Sequence, residues 1–157
     1  MNEKIIEAMA RLSYGIYVLT SKKGDEKHGM IASWVSQVSH EPPLVMVAIR
    51  KNRRMHSIVK EAGVFALHVL DKNEKDIIRR FKLPTPAERF KNIDCITLET
   101  ACPIIEKALA YLDCRLVTTL DAGDHTLFIG EAMAAASAEK GTPMTSWDYG
   151  KVYLGDS

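Results

Sequence analysis

Between positions 108 and 136 the chain alternates. Even positions Ala110, Leu112, Cys114, Leu116 and Leu120 are apolar; odd positions Tyr111, Asp113, Arg115, Thr119 and Asp121 are mostly polar. A period of two marks a strand with one covered and one wet face. Asp121-Ala-Gly-Asp-His125 interrupts the pattern, and its Gly123 supplies the positive φ that a tight reversal needs. Leu127, Ile129 and Met133 carry the apolar face back. A long antiparallel hairpin is marginal alone and needs further strands to cover it. Residues 14–20 and 64–70, rich in β-branched and aromatic side chains, supply them. The polar stretch 21–28, containing Gly24, reads as a hairpin connection.

Short helices punctuate the strands. Asn2 is placed to cap one, and Ile5, Ile6, Met9 and Leu12 form a stripe at helical spacing that would pack on the sheet. Asn52 is placed to cap a second, over 53–62, which Gly63 ends; Met55, Ile58 and Val59 face the sheet. A third, over 73–81, turns Ile77, Ile78 and Phe81 inward. Pro84 and Pro86 interrupt the chain beyond it, and 93–105 is irregular with short strands. His68, inside an apolar strand, reads as a satisfied core histidine. Lys140-Gly-Thr-Pro143 is a turn, and Trp147, Tyr149 and Tyr153 form an aromatic tail docked on the barrel or on a second subunit.

The stretch 29–54 does not obey the simple rule. Its first half reads as a strand that puts small hydroxyls on both faces: Ser33 and Ser39 on one, Ser36 on the other. Pro42-Pro43 stops it, because neither proline can donate to a ladder. Leu44 to Ile49 contains no polar residue and reads as a strand covered on both faces. Four cations then arrive in five positions: Arg50, Lys51, Arg53 and Arg54. A flat polar ring would fit beside the small polar residues, and a phosphate would suit the cations at a helix start. The competing reading is an ordinary barrel hairpin with a solvated basic corner.

Composition narrows the function classes. A length of 157 residues suits one domain, 1–157. Lys and Arg number 21 against 20 Asp and Glu, so there is no broad cationic face for a nucleic acid. Three cysteines, Cys95, Cys102 and Cys114, form no CxxC pair; they read as free thiols in a reducing compartment, with Cys114 buried. No apolar run approaches the roughly 20 residues that span a bilayer, and Glu3, Lys4 and Glu7 spoil a signal h-region, so the expectation is cytoplasmic, with no membrane partner. No Gly-x-Ser-x-Gly, His-Glu-x-x-His, Walker or Gly-x-Gly-x-x-Gly motif occurs. Any reactive group is therefore borrowed.

At Gly-Met-Ile-Ala-Ser-Trp-Val-Ser-Gln-Val-Ser, Pro-Pro-Leu-Val and Arg-Lys-Asn the chain resembles the flavin reductase-like, FMN-binding split-barrel family. Ala-Tyr-Leu-Asp-Cys-Arg-Leu, Asp121-Ala-Gly-Asp-His125-Thr and Phe-Ile-Gly-Glu extend the likeness in the same order. The resemblance implies a mainly β fold with helices, a Greek-key antiparallel barrel, assembled as a homodimer. It implies that Ile31, Ala32, Ser33, Trp34, Val35, Ser36 and Gln37 line the isoalloxazine edge. Ala48, Ile49 and Arg50 would run beside the ring, and Lys51, Asn52 and Arg53 would hold the phosphate. His56 and Ser57 become further phosphate partners, and Arg89 and Phe90 lid residues. His125 matches the histidine that approaches the nicotinamide donor or the flavin, in a positioning role. FMN is expected over FAD, because the short chain has no evident segment for an adenylate. NAD(P)H would be the electron donor to an unidentified acceptor. A carrier reduced by a small redox protein, and a non-enzymatic barrel binding nucleic acid or a partner through 50–54, are the alternatives.

Overall fold

The computed structural model describes residues 2–150 and Tyr153. In chain order the elements are α1 (Glu3–Met9), β1 (Tyr17–Lys23), β2 (Glu26–Ala32), β3 (Val35–Ser39), β4 (Leu44–Arg50), α2 (Arg54–Ala62) and β5 (Val64–Val69). They continue with α3 (Lys75–Phe81), α4 (Pro86–Phe90), β6 (Cys95–Ile96), β7 (Ile104–Ile105), β8 (Ala110–Ala122), β9 (His125–Ser137) and α5 (Ser146–Tyr149). Seven strands form one antiparallel sheet in the order β2-β1-β5-β8-β9-β4-β3, and β6 pairs with β7 apart from it. The long hairpin forms, with Ala122 opposite His125 and Gly123 at φ 68° in the reversal, but its outer part is uncovered: Leu120 and Met133, expected on the covered face, are exposed.

Among the described residues, the two larger of three apolar clusters hold this sheet. Met55, Ile58 and Val59 of α2 pack with Phe65, Leu67 and Phe128 in one. Ile77, Ile78 and Phe81 of α3 meet Phe90, Ile105 and Met144 in the other, with Phe81 and Phe90 edge to face at 5.2 Å. The inward faces of α2 and α3 are those the helical spacing gives, and His68 is fully buried and satisfied. Its Nδ1 lies 2.9 Å from the Val18 carbonyl, and the Ile105 N–H donates to its Nε2 at 3.0 Å.

Several expectations need correction. The connection over 21–28 is a two-residue turn, since β1 and β2 pair down to Lys23 opposite Glu26. Alternation there is masked because lysines decorate both ends of the pair. Helix α2 is capped by Arg53, not Asn52, and no side chain caps it; Gly63 ends it at φ 69° as expected. The third helix begins at Lys75, two residues inside the expected start. The apolar stripe of α1 does not pack on the sheet: the helix buries no residue, and Ile5, Met9 and Leu12 are exposed. Strand β4 is buried on one face only, because Leu44, Met46 and Ala48 are half-covered. Asp113, assigned to the wet face, is fully buried. A bulge between Asp113 and Cys114 resets the register, and the Asp113 carboxylate accepts the Thr100 N–H at 2.9 Å and the Thr100 hydroxyl.

Gly130 of β9 sits where a Cβ would lie 2.6 Å from the Phe65 ring and 3.1 Å from the Cys114 Cβ. Phe65 has no exposed surface into which it could retreat. The Gly130→Ala variant is expected to lose about 1–3 kcal/mol by overpacking. Urea unfolding measures it; an unchanged midpoint would show that the Phe65 ring moves freely.

Candidate functional site

The undecided stretch resolves into a corner. Residues 29–32 pair with β1, whereas Val35 onward pairs with β4, and Ser33 and Trp34 belong to neither ladder. The Ser33 carbonyl accepts from the Val35 N–H at 3.1 Å, and the Trp34 carbonyl from the Ala48 N–H at 2.9 Å. The small polar residues on both faces thus come from two half-strands, not from one strand with two wet faces. A cleft of about 420 Å³ opens at this corner. It is lined by Met30, Ile31, Ala32 and Ser33 from β2 and the corner, by Ala48, Arg50 and Arg53 from β4 and the cap of α2, and by Phe81, Lys82, Arg89, Tyr149 and Tyr153 from later in the chain.

The cleft gathers charge of one sign. Among the described residues, Arg50, Arg53, Lys82 and Arg89 make no ion pair, although Asp124 lies near enough to Arg50 for the arginine to depress its carboxyl. Arg89 donates from Nε to the Leu83 carbonyl at 2.6 Å and from a terminal nitrogen to the Gly29 carbonyl at 2.7 Å. Burial, and then Arg53 nearby, hold its pKa below the ordinary guanidinium value. Arg53 is also the N-cap of α2, whose first N–H groups have no side-chain partner, so the positive helix end lies beside these cations.

An aromatic group closes the corner. The Trp34 ring lies 4.6 Å from the His125 ring and 4.7 Å from that of Tyr153. His125 is buried to 2% exposure, at the end of the hairpin, where a tip residue would be wet. Its Nδ1 lies 2.6 Å from Asp124 Oδ1 and its Nε2 lies 2.8 Å from the Tyr153 hydroxyl. A carboxylate only accepts, so Nδ1 carries the proton and Nε2 accepts from Tyr153. The hydrogen bond to His125 holds the Asp124 carboxyl below its usual range. The Tyr14 hydroxyl donates to the Tyr153 carbonyl at 2.8 Å.

The structure sorts the sequence candidates. Ile31, Ala32, Ser33, Ala48, Arg50 and Arg53 converge on the cleft, and Trp34 and His125 stand beside it through Tyr153. The rest lie elsewhere. Ile49 faces the core, Val35 packs against it, and Ser36 and Gln37 are exposed on β3. Lys51 reaches Asp121 at 3.6 Å, and Asn52 is exposed. His56 Nε2 is 2.8 Å from Thr126 Oγ1, whose proton goes to Asp121 at 3.3 Å; burial and then Lys60 and Lys51 lower its pKa. The Ser57 hydroxyl is turned back on the Arg54 carbonyl at 3.1 Å. Phe90 is a core residue, whereas its neighbour Arg89 lines the cleft. Phe81 and Lys82, which open the Phe81-Lys-Leu-Pro run that resembles the family's connecting loop near the flavin, line the cleft, as does Met30, which is not among the candidates; Tyr149 and Tyr153 carry only the signal of an aromatic tail. Burial pushes the Cys114 thiol up to about 12 and that of Cys102 to about 11, so neither offers a thiolate.

A family model described as Flavin reductase like domain matches residues 9–155. The ferric-chelate reductase (NAD(P)H) of Archaeoglobus fulgidus is 33% identical over 148 residues, covering 92% of this chain and 88% of that protein. Diflavin flavoprotein A 1 of Synechocystis sp. is 34% identical over 128 residues, or 80% of this chain and 22% of that protein. The chain spans about a quarter of the length of the diflavin flavoproteins it matches. Among solved structures, the Streptomyces globisporus NADH:FAD oxidoreductase in complex with NAD and FAD fragments has a TM-score of 0.82 at 28% identity, over 91% of this chain and 86% of that one. The seven-stranded sheet is accordingly the split barrel of the flavin reductases. With sequence and fold agreeing over nearly its whole length, the chain belongs to the flavin reductase-like domain family.

Proposed function

We propose that the chain is an oxidoreductase that binds FMN in the corner cleft and passes electrons from NAD(P)H to an acceptor: free flavin, a ferric complex or a redox protein. The observation that carries this reading is the meeting, in one cleft, of an unladdered corner with four cations that make no ion pair among the described residues. Such a donor set fits a ring with a phosphate tail. Ala32, Ser33 and Trp34 would border the ring, Ala48 would lie beneath it, and Arg50, Arg53 and the start of α2 would hold the phosphate. Flavin, when bound, supplies hydride acceptance and onward electron transfer.

The chain's own residues bind and orient. Arg50 and Arg53 come from the end of β4 and the cap of α2, so the fold fixes their separation. His125 keeps one tautomer because its Nδ1–H donates to the Asp124 carboxylate; Nε2 then accepts from the Tyr153 hydroxyl. Trp34 shields the pair from water. A homodimer belongs to this reading, supported by exposed Val117, Leu120 and Met133 on the outer part of the β8–β9 hairpin. So does a cytoplasmic setting, supported by thiols that are all unpaired. The carrier reading gains support from the diflavin flavoproteins, in which the matching region is a fraction of a longer chain. The basic-corner reading loses support, because Lys51 turns to Asp121 while Arg50 and Arg53 turn to the cleft.

The test is a visible spectrum of the purified protein, before and after anaerobic NADH or NADPH. A flavin spectrum, present as purified or after soaking in FMN, that the nicotinamide bleaches is the expected result. Bleaching only by a reduced redox protein would favour the carrier; colourless protein after FMN would sink both.

A further inference from the structure

The open end of the β8–β9 hairpin is held unevenly. On β8, residues 117–122 are exposed; on β9, the first two residues, His125 and Thr126, are buried. Successive strand residues point to opposite faces, so His125 meets Trp34 while Thr126 meets α2. Thr126 belongs to none of the apolar clusters among the described residues, and hydrogen bonds hold it instead. The His56 Nε2–H donates to Thr126 Oγ1 at 2.8 Å, and the Thr126 hydroxyl donates to Asp121 Oδ1 at 3.3 Å. Asp121 also meets the Lys51 ammonium at 3.6 Å, and the Lys51 N–H donates to the Asp124 carbonyl at 2.9 Å. The chain of contacts thus starts on α2, crosses from β9 to β8, and returns to the residue that precedes His125. His56 is itself fixed edge-on against Phe128, with ring centres 5.1 Å apart.

We propose that His56 and Thr126 are positioning residues for His125: the contacts His56–Thr126–Asp121–Lys51 clamp the open hairpin end to α2, and so hold the His125 ring against Trp34. Neither residue lines the cleft, so both act through His125 and not on a ligand. A hairpin end that lacks such ties opens locally at little cost. The Nδ1 partner of His125, Asp124, sits in the turn itself, so a turn that opens carries the carboxylate and the ring away from Trp34 together. A displacement of that kind is expensive for any group that must meet a bound ring in one geometry. The consequence for electron transfer rests on the flavin reading above; the clamp itself does not.

The test measures solvent exchange of the His125 Nδ1 proton by NMR in protein with 15N-labelled histidine. The Nδ1 proton of His68, buried in the core against the Val18 carbonyl, is the internal control. Thr126→Val keeps the shape and loses the hydroxyl; Thr126→Ser keeps the hydroxyl. His56→Phe cuts the same chain from the helix side and keeps a ring beside Phe128, so it carries the test if Thr126→Val fails to fold. Thr126→Val and His56→Phe are expected to speed His125 exchange about tenfold, with His68 unchanged and Thr126→Ser at the wild-type rate. In the FMN-loaded protein, turnover with NADH or NADPH should fall about tenfold in Thr126→Val, with FMN affinity within about twofold. An unchanged His125 rate, equal acceleration of His125 and His68, a Thr126→Ser as fast as Thr126→Val, or undiminished turnover overturns the proposal. Failure of wild type to bind FMN, or to be reduced by either nicotinamide, overturns the flavin reductase reading instead, and the exchange rates still decide the clamp.

Discussion

The double variant Arg50→Ala/Arg53→Ala is expected to bind FMN about a thousandfold more weakly than wild type. Each side chain contributes a charge-assisted hydrogen bond to phosphate, worth about 1.5–3 kcal/mol, and about 1.4 kcal/mol is a decade in affinity. The two sit on different elements, β4 and the cap of α2, and neither makes an ion pair among the described residues. Riboflavin, which lacks the phosphate, should weaken by no more than about threefold, because the corner at Ser33 and Trp34 is untouched. Lys51→Ala is the internal control. Its ammonium is spent on Asp121 at 3.6 Å, so FMN affinity should stay near wild type. Equal losses for FMN and riboflavin would mean that the arginines shape the cleft instead of holding an anion. A damaging Lys51→Ala would return the phosphate to the loop between β4 and α2.

The contrast between Lys51 and Arg89 shows what the sequence could carry. Where structure tracks local periodicity, the residues announce it. The β8–β9 hairpin is legible because one register serves most of its length, and the inward faces of α2 and α3 come from their spacing. The corner at Ser33–Trp34 is not legible, because its two halves answer to different partners. Superposing two half-strands erases the alternation that each possesses. Asp113 misleads for a related reason: a bulge and the loop bearing Thr100 cover a position whose parity says solvent. The basic run reads as one patch because its members are adjacent in sequence. The turn into α2 separates them, and their true neighbours, Lys82 and Arg89, belong to later elements of the chain. Only tertiary packing of α3 and α4 against β2 brings those into reach. The α1 stripe is the opposite case, a clear local pattern on a helix that buries no residue.

Acid should unfold this protein through His68 more than through any surface pair. The ring is fully buried, donates from Nδ1 to the Val18 carbonyl and accepts the Ile105 N–H on Nε2. A second proton would have to go on Nε2, against that N–H, in a site with no exposure to solvent. Burial accordingly lowers its pKa to about 4, although the Val18 carbonyl and Asp113 pull the other way. The unfolded chain takes the same proton near the usual value of about 6.5. Above that value the histidine is neutral in both states and the fold keeps its full stability. As pH falls from about 6.5 to 4 the unfolded state alone binds the proton, so stability declines. Below about 4 both states are protonated and the loss is complete, at about 3 kcal/mol from the difference between 6.5 and 4. The His68→Gln variant isolates this contribution: its amide retains one donor and one acceptor but cannot titrate. It should be less stable than wild type at neutral pH, yet its stability should fall much less between pH 6.5 and 4 in urea titrations. Parallel pH profiles for the two proteins would show that the acid sensitivity arises elsewhere, and that the Ile105 N–H yields its partner without cost.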